Sequence, residues 1–280
     1  MELGQLVDHF KKSDPMAPYS SAIERELVSA QDKINSGYPE HSKDANEGIG
    51  RLTKYFVSMM VQSGFAQASK DNGLGDLGIA LIGGRPHEAI AMSLALHVIG
   101  KSDATIYIVE KDESGPEKTF NLDPLQPFIG KTSEELNAEL RDKKEASGTF
   151  DTTIITVLNQ DAATDNNLWN NLRNNYHSVI VFAGNPNVHA DLPDDVNPWR
   201  QIFIKARGLF SEKGPILIAA TAAHYDEYQE LQRILSDYPK SRFKGENKYS
   251  LEQHMARVLS GHPYAIHARY IGYSNLPKAA

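Results

Sequence analysis

The chain has 280 residues, of which 40% are hydrophobic and 23% are charged, and it has no cysteine, so disulfides, thiolate metal sites and a cysteine nucleophile are excluded. Its net charge of −7 (29 basic and 36 acidic residues) and isoelectric point of 5.8 argue against a nonspecific nucleic-acid binder, which carries a basic surface. No window approaches the roughly 18 consecutive apolar residues of a membrane span, and the first residues lack the pattern of a secretory signal, so we expect a cytoplasmic protein without membrane contact.

Residues 1–76 are predicted to be helical. They contain two stripes of apolar residues at helical spacing, one from Ile23 to Ile34 and one from Ile49 to Met60, and no motif. We expect this segment to be an N-terminal helical cap that packs beside a sheet or over its ligand-binding edge. Tyr19 and Tyr55 then either line a pocket or fill the interface with the core, and the second interpretation is favoured.

The segment from Leu77 to Glu110 reads as strand, glycine turn, helix and strand. An apolar run, Leu77 to Ile82, ends at Gly83-Gly84, and Pro86 fits the first turn of a helix that continues to Ile99. This helix is apolar nearly all round, as expected when it packs on a sheet with neighbours on both sides. A second buried strand, Thr105 to Val109, then ends on Glu110.

The rest of the chain repeats this alternation. A long loop rich in proline, glycine and charge follows Glu110 to about residue 131, and a polar helix runs to about Glu145. The remaining predicted strands cover 152–158, 178–183, 216–220 and, as an edge strand, 264–273. The remaining predicted helices cover 168–176, 198–210, 226–237 and 250–259, and residues 244–248 are predicted to be a solvated basic loop.

Strands separated by helices predict an α/β fold with a doubly wound, mostly parallel sheet over residues 77–280. In such sheets ligands bind at the carboxyl ends of the strands. Gly83, Glu110, Asp161 and Ala183 each follow or end a predicted strand, so we expect them around one crevice.

Within residues 75–225 the sequence resembles the class I S-adenosylmethionine-dependent methyltransferases, which are Rossmann-like. The segment LIGGRPHEA is similar to their glycine-rich turn, and NQDAA is similar to the segment after their third strand. The resemblance implies that Gly83, Gly84 and Arg85 lie beside the methionine part of the cofactor and that Glu110 binds the ribose hydroxyls. It further implies that the adenine lies beside Asp161 and Ala162, and the transferred methyl group beside Ala183.

The glycine-rich turn departs from the family pattern at three positions. Members usually have an acidic residue where this chain has Leu81, and small residues where it has Arg85 and His87. Long side chains obstruct close approach of the backbone to a ligand. Either Arg85 and His87 point away and the cofactor binds through the loop amides, or the site is altered, with Arg85 able to bind an anionic group.

No catalytic residue follows from the sequence, because methyl transfer needs little beyond alignment of the reactants. His189 and His224 are weak candidates for a general base. Asn185 is a weak candidate because Asn185-Pro186 resembles part of the Asn-Pro-Pro-aromatic motif of amino-methylating relatives. Asp191, Asp194 and Asp195 lack the spacing of a calcium loop, so no metal is predicted.

Three functions stay open from the sequence. The first is a methyltransferase that acts on a small-molecule or protein acceptor. The second is a non-catalytic or altered-ligand binding protein on the same scaffold. The third is an NAD(P)-dependent oxidoreductase, since two glycines followed by Glu110 resemble a dinucleotide fingerprint, although the full G-x-G-x-x-G is absent. Fold alone does not choose among them, and the sequence leaves the oligomeric state open.

Overall fold

The computed structural model of the protein describes residues 16–67, 76–101, 103–111, 120–184, 197–211, 215–222, 225–236, 246–249 and 264–270. The strands are β1 (Leu77–Ile82), β2 (Ala104–Glu110), β3 (Glu145–Phe150), β4 (Thr153–Asn159), β5 (Ser178–Gly184), β6 (Ile216–Ala222), β7 (Glu246–Tyr249) and β8 (Tyr264–Tyr270). The helices are α1 (Ser20–Gly37), α2 (Ser42–Gln62), α3 (Pro86–Val98), α4 (Gln126–Ile129), α5 (Ser133–Lys143), α6 (Asn167–Asn175), α7 (Pro198–Arg207) and α8 (Tyr225–Ser236).

In the described part of the chain, the strands form one sheet in the order β3-β4-β2-β1-β5-β6-β8-β7. The five strands from β4 to β6 are parallel, β3 is antiparallel to β4, and β8 is antiparallel to both β6 and β7. The prediction of a doubly wound, mostly parallel, Rossmann-like sheet is therefore confirmed. The chain builds outward from β1 through β2 to β4 and then crosses to β5 on the other side of β1. This reversal makes the carboxyl end of β1 the topological switch point, where open α/β sheets bind ligands.

The predicted strand–turn–helix–strand unit forms as expected. All six residues of β1 are buried, and α3 is buried continuously from Glu88 to Leu96. The helix is apolar all round because it lies between the sheet and α2, so it has no solvent-facing side over most of its length.

The N-terminal helices share the hydrophobic core of one face of the sheet. Ile34 of α1 and Phe56 of α2 belong to the same buried cluster as Leu81 of β1. Tyr55 is fully buried, with its ring centroid 6.1 Å from that of Phe182 in β5. Tyr55 therefore fills the interface, as the favoured interpretation held, and Tyr19 packs against the same cluster. A role for residues 1–76 in shaping a ligand pocket stays a prediction.

A second hydrophobic cluster covers the opposite face of the sheet. It joins β-strand residues such as Ile82 and Val181 to Trp169 of α6, Phe203 of α7 and Leu231 of α8. Helices on both faces explain why the central strands are apolar without alternation.

The structure corrects the sequence prediction at β3. Residues 145–150 were not predicted as a strand, but Glu145–Phe150 forms an antiparallel edge strand against β4. The sequence EASGTF has no apolar run, so it lacks the usual strand signal. Gly148 is required because a Cβ atom there would lie 2.6 Å from Cβ of Ile129.

The end of the sheet also differs from the prediction. Residues 244–248 were expected to be a basic surface loop, but Glu246–Tyr249 is strand β7. As a result β8, expected at the edge, pairs with β6 on one side and β7 on the other. The predicted loop after Glu110 also contains α4. The helix predicted over 250–259 lies outside the described residues.

Candidate ligand site

Four neighbouring strands bring the predicted site residues to one edge of the sheet. Ile82 of β1 pairs in register with Val109 of β2 and with Ala183 of β5, and Glu110 pairs with Asn159 of β4. Along this edge the order is therefore Asp161, Glu110, Gly83, Ala183. Neighbouring strands lie about 4.8 Å apart, so the four positions fit within the length of one extended small molecule.

The turn after β1 is built on two glycines with different requirements. Gly83 has φ of +63°, a conformation that favours glycine, and its N–H donates to the carbonyl oxygen of Val109 at 2.8 Å. A Cβ atom at Gly84 would lie 2.7 Å from the carbonyl oxygen of Leu81. The turn is therefore tight, and its backbone carries no side chain at Gly83 and Gly84, directly after β1.

The three residues that depart from the family pattern lie in three different environments. Leu81 is fully buried in the core, so that position offers no polar group to a ligand. Arg85 is exposed at the N-cap of α3. His87 is half-buried, and burial, helped by the positive charge of Arg85, lowers its pKa to about 4. The His87 imidazole is thus neutral at physiological pH.

Glu88 was not predicted as a site residue, although it belongs to the segment LIGGRPHEA on which the resemblance depends. It is 8% exposed and lies in the first turn of α3. One carboxylate oxygen, Oε2, accepts the Arg85 N–H at 2.9 Å, and Oε1 lies against Gly184 at the end of β5. Burial raises the pKa of Glu88 to about 7, and the charge of Glu110 adds to this, against the opposing N–H and charge of Arg85.

Glu110 ends β2 beside the glycine turn and is half-buried. Its carbonyl oxygen accepts the Gln160 N–H at 3.1 Å, which fixes the end of β2 to the chain that leaves β4. The side-chain Oε1 of Gln160 is buried and has no hydrogen-bond partner among the described residues. Gln160, which directly precedes Asp161 and is bonded to the backbone of Glu110, thus places a buried amide oxygen between these two residues.

Asp161 is held by its own neighbours. Its Oδ1 accepts the Ala163 N–H at 2.9 Å, and its Oδ2 lies 3.1 Å from Nζ of Lys111. Burial alone would raise the pKa of Asp161, but these hydrogen bonds and the Lys111 charge outweigh it and lower the pKa. Ala162 is buried, and its carbonyl oxygen accepts the indole N–H of Trp169 at 2.9 Å. The Asp161 carboxylate is therefore ionised and oriented at the sheet edge.

Trp199 is a second residue whose position the sequence did not indicate. It lies in the first turn of α7, which Asn197 caps by accepting the Arg200 N–H at 3.1 Å. Its Cη2 lies 3.6 Å from where a Cβ atom of Gly83 would be. Trp199 therefore walls the glycine turn on the face opposite the N-terminal helices. The sequence pattern predicted it only as part of an apolar helix face.

The candidates after β5 and β6 lie outside the described residues. These are Asn185, His189 and His224, together with the aspartates Asp191, Asp194 and Asp195. Within the described residues, no group of three metal-ligating side chains occurs, and no helix is long and apolar enough to span a membrane.

Comparison with known proteins gave structural matches only. Neither a scan against family models nor a search of curated proteins found a match. A predicted O-methyltransferase from Agrobacterium tumefaciens has 14% identity and a TM-score of 0.36, with 74% of this chain and 77% of that chain covered. Human N-acetylserotonin methyltransferase in complex with S-adenosylmethionine has 12% identity and a TM-score of 0.35, with 92% of this chain and 70% of that chain covered.

A third match is phosphoethanolamine N-methyltransferase 1 from Haemonchus contortus, in complex with phosphoethanolamine and S-adenosylhomocysteine. Its identity is 10% and its TM-score 0.38, with 76% of this chain covered. The chain spans 41% of the length of that protein.

Proposed function

We propose that the protein is an S-adenosylmethionine-dependent methyltransferase that acts on an acceptor still to be identified. The observation that carries this proposal is the alignment of the glycine turn, Glu110 and Asp161 on three neighbouring strands, β1, β2 and β4. Each of these positions matches one part of the cofactor in the resemblance, and the sheet brings them together in the order that one extended ligand needs.

The residues present fit this cofactor. Gly83 is exposed and carries no Cβ atom, so a ligand is able to approach the backbone of the turn closely there. A half-buried carboxylate at Glu110 suits a pair of ribose hydroxyls, which donate hydrogen bonds to it. Asp161 is ionised and partly exposed, so it is able to accept a further hydrogen bond from an adenine amino group.

When bound, S-adenosylmethionine supplies an electrophilic methyl group. The residues of the chain then have two tasks, to hold the ligand along the edge and to exclude water from the reacting end. Glu110 and Asp161 orient the nucleoside part, and the turn with Trp199 encloses the methionine part next to Ala183. Alignment with the acceptor supplies most of the acceleration, so no general base is required.

A specific observation favours a second candidate, an altered-ligand binding protein. The guanidinium of Arg85 is exposed at the start of α3, where the helix dipole also favours anions. An NAD(P)-dependent oxidoreductase is less consistent with the sheet. The dinucleotide fold continues its second half with a further parallel strand, whereas here the antiparallel β8 lies next to β6.

Isothermal titration calorimetry with S-adenosylmethionine, S-adenosylhomocysteine and NAD(P) separately tests the proposal. We expect saturable heat with the first two ligands and none with NAD(P). No heat with either adenosyl ligand at millimolar concentration would rule the methyltransferase out and favour the altered-ligand protein. A methyl-transfer assay on candidate small molecules and peptides then addresses the acceptor.

A further inference from the structure

Glu88 is a buried carboxyl group at the junction of three elements of the site. It belongs to α3, it accepts a hydrogen bond from the turn that follows β1, and it touches Gly184 at the end of β5. Glu110 at the end of β2 is close enough for its charge to act on Glu88. Glu88 therefore lies between the glycine turn, where the methionine site is proposed, and the end of β5.

The carboxylate of Glu88 is poorly compensated. Among the described residues, its oxygens accept one hydrogen bond, from the Arg85 N–H to Oε2, and no Lys, Arg or His nitrogen forms an ion pair with it. Oε1 packs so closely on Gly184 that a Cβ atom there would overlap it. A buried carboxyl group with one hydrogen-bond donor and no ion-pair partner favours its protonated form.

We propose that Glu88 is the internal counter-charge of the site: it holds a proton when no ligand is present and releases it when a cationic ligand enters the crevice. This inference rests on the proposed function, because S-adenosylmethionine carries a sulfonium and an ammonium group. A cation near Glu88 stabilises the carboxylate, and by reciprocity the ionised protein binds the cation more tightly.

The groups around Glu88 set the pH range of this coupling. With a pKa of about 7, Glu88 is largely protonated at pH 6 and largely ionised at pH 8. His87, its neighbour on α3, stays neutral over this range because its pKa is about 4. Arg85 from the turn favours the carboxylate, Glu110 from β2 disfavours it, and Gly184 from β5 carries no charge.

Calorimetry in two buffers of different ionisation enthalpy measures the proton release directly. For the wild type with S-adenosylmethionine, we expect close to one proton released at pH 6 and almost none at pH 8. Below pH 7 the dissociation constant should rise by about tenfold for each unit by which the pH falls, because the protonated protein binds the cation less tightly. Glu88→Gln should release no proton at pH 6, and its affinity should not change between pH 6 and pH 7, where the ammonium group of the ligand stays protonated.

Glu135→Gln is the matched control. Glu135 makes the same hydrogen bond at the start of α5, to the N–H of Thr132, but it is fully exposed and belongs to a helix on the far side of β4 from the glycine turn. We expect its proton release and affinity to equal those of the wild type. A loss of proton release in both variants would mean that helix stability, not the site, is responsible.

A wild-type comparison of two ligands tests the inference without any variant. S-adenosylhomocysteine lacks the sulfonium charge, so it should release fewer protons at pH 6 than S-adenosylmethionine. Release that persists in Glu88→Gln, or no release by S-adenosylmethionine although it binds at pH 6, would overturn the inference and leave the proposed function intact. Failure of both ligands to bind at pH 6 and at pH 8 would instead overturn the proposed function, and the inference with it.

Discussion

Two helices of this protein begin with the same hydrogen bond in opposite surroundings. At the start of α3 the carboxylate of Glu88 accepts the N–H of Arg85 at 2.9 Å, and at the start of α5 that of Glu135 accepts the N–H of Thr132 at 2.7 Å. In α5 the bond is reciprocated, because Thr132 Oγ1 accepts the Glu135 N–H at 3.2 Å. Arg85 has no side-chain acceptor, so α3 lacks that second bond.

The electrostatic consequences differ in sign. The hydrogen bonds from Thr132 lower the pKa of the exposed Glu135, whereas burial raises the pKa of Glu88 to about 7. The same local motif therefore stabilises α5 at neutral pH and carries an electrostatic cost in α3. A capping hydrogen bond that buries a charge reduces the stability of the folded state. Such costs are typical of functional sites, where stability is reduced in favour of binding.

The largest expected effect is on the pH dependence of stability in Glu88→Gln. Since the pKa of Glu88 is raised from 4.5 to about 7 in the folded state, its contribution is fully present below pH 4.5 and is lost as the pH rises through 7. The shift corresponds to about 3 kcal/mol. Between pH 5 and pH 8 we therefore expect the wild type to lose stability relative to Glu88→Gln, as measured by urea unfolding.

Glu135→Gln again provides the comparison in this experiment. The lowered pKa of Glu135 gives stability that is present at neutral pH and is lost only as the pH falls through its acidic range. Between pH 5 and pH 8 its difference from the wild type should stay constant. If Glu88→Gln and Glu135→Gln give parallel curves, the contrast between the two helix starts does not exist.

The second expected effect concerns Gly184→Ala. The new Cβ atom overlaps Oε1 of Glu88, so the carboxyl group has to move, and we expect it to move toward solvent. We expect a destabilisation of about 1–3 kcal/mol from overpacking. The pH dependence described for Glu88 should shrink, because an exposed carboxyl group regains its ordinary pKa.

A double variant shows whether Glu88 accounts for the cost of this substitution. In the Glu88→Gln background the same methyl group meets an amide of equal size, so the steric cost should persist while the pH dependence is absent. A Gly184→Ala protein with an unchanged pH profile would show that Oε1 is not held at Gly184.

The third effect is on ligand binding in Glu110→Ala. A carboxylate that accepts hydrogen bonds from two hydroxyls contributes roughly 1.5–3 kcal/mol for each bond, so we expect the affinity for S-adenosylhomocysteine to fall by about tenfold or more. Asp161→Ala should lose less, because one hydrogen bond to the adenine amino group is at stake.

Glu110→Ala also bears on the contrast between the two helix starts. The charge of Glu110 raises the pKa of Glu88, so its removal should shift the stability profile to lower pH. An unchanged affinity for S-adenosylhomocysteine would remove Glu110 from the proposed ribose site, whatever the stability profile does.

The sheet was predictable because its signals are local. β1 and β2 are buried on both faces, so they read as short apolar runs, and the glycines and Pro86 mark the turn and the helix start. Parallel strands then place their carboxyl ends together, so the common location of Gly83, Glu110 and Asp161 followed from their positions in the chain. β3 and β7 are polar strands that depend on a partner, and a single sequence contains little signal for them.

The features of Glu88 and Trp199 were not predictable, because they arise from contacts distant in the sequence. A glutamate in the first helical turn predicts a capping hydrogen bond, and both Glu88 and Glu135 make it. Glu88, unlike Glu135, also packs against Gly184, almost a hundred residues further along the chain. In the same way, Trp199 reaches Gly83 only because α7 packs across the end of β1.

The smallest expected effect is that of Arg85→Gly, which changes the N-cap of α3. Glycine is one of the preferred N-cap residues and Arg85 makes no side-chain capping bond, so the substitution should leave the stability of α3 nearly unchanged. The positive charge of Arg85 favours the ionised form of Glu88, so its removal should raise the pKa of Glu88 further. At pH 8.5 or above we expect binding of S-adenosylmethionine within about twofold of the wild type, and at pH 6 binding weaker by about threefold.

A variant that binds more tightly at every pH would show that Arg85 obstructs the turn. One that binds far more weakly at every pH would show that Arg85 itself holds an anionic group of the ligand.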